Sequence, residues 1–153
     1  RSMLRHAHLR SGPLADVLGR AGIGTVAGNL RLFAGRLEAM LDELVPLFAA
    51  AFSDVELLAA LRREMHPGVP ADGAFAGPPV ERYLLAEREL GRVAPDADCR
   101  AAASLVVSVC HDRAFQRFFH GAGRPKPLTA EIDLIARAVA VPSRTRARRP
   151  VTP

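Results

Sequence analysis

The sequence predicts an all-α protein, a helical bundle of about five main helices. Apolar residues recur in steps of three and four along several stretches, and nowhere do they alternate with polar ones at the period of two that marks a half-buried strand. Most of these stretches open on a helix-capping residue, and Gly91 and Pro142 close two of them. At 153 residues the chain can bury one core, so a single main unit over 23–141 is expected.

The first element is a short helix and turn from Leu14 to Gly24. Thr25 then caps a helix of about seven turns on Val26, Leu30, Phe33, Leu37, Met40 or Leu41, Leu44, Leu47 or Phe48 and Phe52. Pro46 should kink it by removing the donor to the Asp42 carbonyl. Ser53-Asp-Val-Glu56 reads as a capping box that starts a helix on Leu57, Leu58 and Leu61, running to about Met65. His66 to Pro79 is rich in Pro and Gly and predicts a mobile loop.

Val80, Tyr83, Leu84, Glu87 and Leu90 share the next helical face, with Gly91 as its C′ stop. Asp96 or Asp98 caps a helix that is apolar on nearly every side from Ala101 to Cys110, which implies burial on two faces, and it should end near Phe119. Gly121 to Pro127 is a connector. Thr129 is expected to cap a last helix on Ile132, Ile135, Ala136 and Val139, which Pro142 terminates.

The net charge of +5 is carried by the ends. Residues 1–22 hold four arginines against Asp16 and form a basic connector, the end of a linker helix; four more arginines follow Val141 in a tail, 142–153, that is too poor in apolar residues to fold. The body between them carries 13 basic and 15 acidic residues, so it is not the basic surface that nucleic-acid binding would need. Cys99 and Cys110 lie roughly 16 Å apart along one helix, too far to bridge. Free thiols, with no signal peptide and no apolar run of about 20 residues, lead to the expectation of a soluble cytoplasmic protein without membrane contact. The opening Arg-Ser-Met hints at a segment upstream.

Catalytic and metal-binding sets are not expected. Cys110-His111-Asp112 has the residue types of a triad, but neighbours on a helix point about 100° apart and cannot bond as one. Gly121 to Lys126 lacks the spacing of a phosphate loop. His6 and His8 find no third ligand nearby, so neither a metal nor another cofactor is expected. Tyr83, the only tyrosine, reads as a core residue with a bonded hydroxyl or as a ligand contact. His111 and Arg113, which interrupt an apolar helix, read either as a solvated edge or as polar groups aimed into a cavity.

Leu14 to Val26 has the look of a DNA-reading helix-turn-helix. Yet the helix after the turn is long and amphipathic, with only Asn29 and Arg31 as early polar groups, and too little chain precedes Leu14 to build the supporting helices. DNA contact through this stretch is not expected.

Three segments point to a family. Gly24-Thr-Val-Ala-Gly-Asn-Leu30 opens a long helix. Val80 to Val93 contains A-E-x-x-x-G-R-V and is followed by Pro95-Asp-Ala-Asp98. An Ala-rich helix then runs from Ala101 to Phe119. Together they closely resemble the C-terminal regulatory domain of TetR-type transcriptional regulators, over residues 22–141. The resemblance implies a homodimer in which the last two helices pack with their twins, and a small, largely apolar effector that changes the arrangement of the helices. Operator DNA would be contacted only through a unit preceding residue 1, in a regulator that is a repressor.

The pocket would lie among the helices at 25–52, 54–65, 79–90 and 98–119. Met40, Leu41, Leu44, Tyr83, Glu87, Val106 and Cys110 are its expected lining. Val109, Arg113, Phe118, Ile132, Ile135 and Val139 are the expected dimer interface. The alternative is a freestanding helical interaction module that uses the same surface without a DNA role. An enzyme is not expected, because no acid, base and nucleophile converge.

Overall fold

The computed structural model describes residues 15–65, 77–121 and 126–141. Residues 1–14 of the connector with His6 and His8, most of the Pro-rich loop (66–76), most of the Gly121 to Pro127 connector (122–125) and the tail (142–153) lie outside the described residues. The elements are a 3₁₀ turn, Ala15–Arg20, and five helices: α1 Val26–Ala51, α2 Val55–Met65, α3 Gly77–Glu89, α4 Cys99–His120 and α5 Thr129–Val139. The all-α bundle is as expected, and the described residues form no strand, only an isolated antiparallel bridge between Val93 and Ala140.

Caps explain most of the boundaries. Thr25 Oγ1 accepts from Gly28 N at 3.0 Å and opens α1. Asp98, of the two candidate caps, opens α4 by accepting from Ala101 N at 2.9 Å. Gly91 takes φ +71° after α3, where Arg92 N reaches back to Glu87 O and Gly91 N to Arg88 O, the paired bonds of a Schellman stop.

Several expectations are corrected. Asp54, not Ser53, caps α2: its Oδ1 accepts from Glu56 N and Leu57 N, while Ser53 Oγ donates back to Ala50 O. A carboxylate one residue nearer the helix meets both orphan amides, so the box shifts by one. Thr129 is the first residue of α5 and Leu128 holds the cap position without a side-chain bond, because Leu128 is drawn into the core. α3 begins at Gly77, inside the expected loop, since Pro78 and Pro79 fall in a first turn where no helical N–H is needed. Pro46 lies inside α1, which is continuous across it, so the expected loss of the bond to the Asp42 carbonyl does not end the helix.

α1 is the central helix and packs chiefly against α4 and α5, with α2 beyond its C-terminal end. It buries Leu30, Phe33, Ala34, Leu37, Leu41, Leu44 and Val45 along one stripe. α4 answers with Ala102, Ala103, Val106, Val107, Cys110 and Ala114, small enough to let the two backbones approach. α3 adds Val80, Tyr83 and Leu84, and α5 adds Ile132, Ile135, Ala136 and Val139.

Candidate functional site

Two buried polar side chains, Asn29 and Glu87, sit near the start of α1. Asn29 Nδ2 donates to Ile23 O at 2.7 Å and to the Tyr83 hydroxyl at 3.0 Å, with Arg20 O at 3.3 Å. Glu87 Oε1 accepts from Gly22 N at 3.3 Å. Its Oε2 faces Arg92 Nε at 3.0 Å as an ion pair without hydrogen-bond alignment. Arg92 Nη2 continues to Gly24 O at 2.6 Å. Asn29, Tyr83, Glu87 and Arg92 thus clamp the 20–24 turn between α1 and α3. Burial of the Tyr83 ring, with the nearby Glu87 carboxylate, keeps its phenol protonated against the pull of the Asn29 bond.

Beside this clamp lies an open groove of about 640 Å³ between the start of α1, the Gly91 turn and the end of α5. Its walls are Val26, Ala27, Ala136, Val139, Ala140 and Val141, and its charged groups are Arg31, Arg92, Asp133 and Arg137. Arg31 bridges α1 to α5 through Asp133 Oδ1, with Nε at 2.7 Å and Nη2 at 2.5 Å. The sequence reading missed this groove, because its charged residues come from three segments more than 40 residues apart and no local pattern joins them.

The residues expected to line a pocket are placed otherwise. Leu41, Leu44, Tyr83, Glu87, Val106 and Cys110 are buried, Met40 packs partly buried against the same core, and none of the seven lines the groove. Tyr83 is the core residue with a bonded hydroxyl. Of the expected interface residues, Ile132, Ile135 and Val139 are consumed by the chain's own core. Phe118 is exposed, while Val109 and Arg113 are half-buried. Arg113 is held by its bond to Lys126 O. α5 turns Leu134 outward instead, at 62% exposure.

No family model, no curated protein and no solved structure matches the chain.

Arg117 joins α4 to α1, donating to Glu38 Oε1 at 2.9 Å and to Asp42 Oδ1 at 2.5 and 2.9 Å. Burial opposes its charge, but the two carboxylates outweigh it and raise its pKa. Cys99 and Cys110 are free and buried. Burial, then the Glu38 charge, pushes the Cys110 thiol up to about 12, and its nearest acceptor is Ala34 O at 3.9 Å. Burial lowers the His111 pKa against a backbone bond to Val107 that raises it. Among the described residues no three metal-ligating side chains gather, and no helix is long and apolar enough to cross a membrane.

Proposed function

We propose that this chain is the effector-binding and dimerisation domain of a TetR-type transcriptional regulator acting in the cytoplasm. Two copies meet through α4 and α5, a small, largely apolar effector shifts the arrangement of the helices, and a repressor is released from operator DNA held by a separate N-terminal unit. The observation that carries this reading is the part of the leftover apolar surface that lies on and just after the last two helices. Leu105, Phe118 and Phe119 on α4, Leu134 on α5 and Val141 just beyond it remain between 43% and 66% exposed. On α4 the outer face steps from Ala101 to Leu105, Ser108, Asp112 and Phe119, a helical stripe that a partner helix can cover.

The resemblance of the 24–30, 80–98 and 101–119 segments supplies the regulatory assignment, and the outward faces of the last two helices support it. Light scattering at several protein concentrations tests it, on the unaltered chain and on Leu105→Glu and Leu134→Glu. A stable dimer that either substitution splits, with helicity retained, is the expected result. A monomer at every concentration overturns the proposal.

A further inference from the structure

We infer that the groove between the start of α1, the Gly91 turn and the end of α5 is a binding site for an organic monoanion with an apolar body, of the carboxylate class. Its charge balance sets the ligand's charge. Arg31 is neutralised by Asp133 and Arg92 by the buried Glu87. Arg137, which also lines the groove, has no ion-pair partner among the described residues, so one guanidinium remains to receive one negative charge.

The field of the surrounding backbone has the same sign. α1 opens onto the groove with no acidic residue in its first turn, so the positive end of the helix adds to Arg137. The rest of the wall fixes the ligand's body. Val26, Ala27, Ala140 and Val141 offer aliphatic surface above the buried Ala136 and Val139, which a hydrated inorganic anion cannot use and an alkyl or aryl chain can.

The groove is held open by rigid parts. Arg31 and Asp133 tie α1 to α5 on one side. On the other, Ala94 N donates to Val139 O at 2.9 Å and Arg92 Nη2 donates to Gly24 O, so the α3 stop is fastened to both remaining walls. A ligand seated there touches three elements at once, and α5 among them carries the outward Leu134. An effector role for the groove therefore rests on the regulatory reading above, whereas binding itself does not.

Titration calorimetry of the full chain with octanoate, octan-1-ol and inorganic phosphate tests the inference, with Arg137→Gln and Ala140→Trp as variants. Both side chains are exposed, so both variants should keep the fold. Octanoate should bind saturably, octan-1-ol about tenfold or more weaker, and Arg137→Gln should weaken octanoate by about tenfold, the loss of one charge-assisted pair. Ala140→Trp should fill the groove and abolish binding.

Equal affinity for octanoate and octan-1-ol, indifference of octanoate to both substitutions, or tighter binding of phosphate than of octanoate would each overturn it. Light scattering of the same samples separates the two ideas. Saturable, Arg137-dependent binding to a chain that stays monomeric upholds the groove and removes the regulatory dimer; a dimer with no octanoate binding does the reverse.

Discussion

Arg92 Nε stands 3.0 Å from Oε2 of Glu87, a carboxylate with no exposed surface. The two partners are not equally placed, since the Arg92 side chain is 28% exposed and can be rehydrated, while Glu87 cannot. Removing the arginine should therefore cost more than neutralising the acid. Arg92→Ala leaves a buried charge with only the neutral Gly22 N–H and Tyr83 hydroxyl near it and is expected to destabilise by about 3 kcal/mol or more. Glu87→Gln keeps the shape and most of the contacts and should cost about 1 kcal/mol. Urea denaturation of both single variants and of the double variant measures this asymmetry. The double variant should be more stable than Arg92→Ala alone, and a strictly additive cycle would mean that the pair is not coupled.

The two cysteines should be silent in the native state. Burial raises the pKa of both thiols, most strongly for Cys110, so almost no thiolate exists at neutral pH and neither sulfur is open to a reagent. Absorbance-monitored labelling with an aromatic disulfide is expected to modify neither cysteine on mixing and both at once in denaturant. Labelling of Cys110 in dilute denaturant should slow as stability rises, because α4 must separate from α1 before the sulfur is uncovered. Rapid stoichiometric labelling without denaturant would contradict the packing of α4 on α1.

The helices were legible because each carries its own signal. Thr25, Asp98 and Gly91 mark ends by local chemistry, and the stripes on α1 and α5 give their buried faces at the right spacing. What periodicity does not carry is the partner of a face. Ile132, Ile135 and Val139 form one apolar stripe whether it meets α1 of the same chain or a second copy, and the fold uses it internally. Asn29 shows the same limit from the polar side. The sequence marks it only as an early polar group of a long helix, but the 20–24 turn folds over it and supplies carbonyl acceptors that only the tertiary structure brings near. The cap at Asp54 in place of Ser53 turns on a shift of one residue, smaller than a sequence pattern resolves.

His111 links stability to pH in the opposite direction from a histidine that gains a carboxylate partner. It lies half-buried on α4, and burial favours its neutral form despite the backbone bond to Val107, so its folded pKa falls below the ordinary 6.5. Between that value and 6.5 the unfolded chain binds the proton more readily than the folded one, and stability must rise with pH. The full contribution is present above about 6.5 and is lost as the pH falls toward the lowered folded pKa. Thermal melts from pH 7.5 down to pH 5 check this on the unaltered chain and on His111→Gln, which cannot titrate. The unaltered chain should lose more stability across that window than the variant does, since carboxylate protonation is common to both and cancels in the comparison. Parallel pH profiles would show that His111 takes up its proton as easily in the folded chain as in the unfolded one, and that the α4 surface around it is open to water.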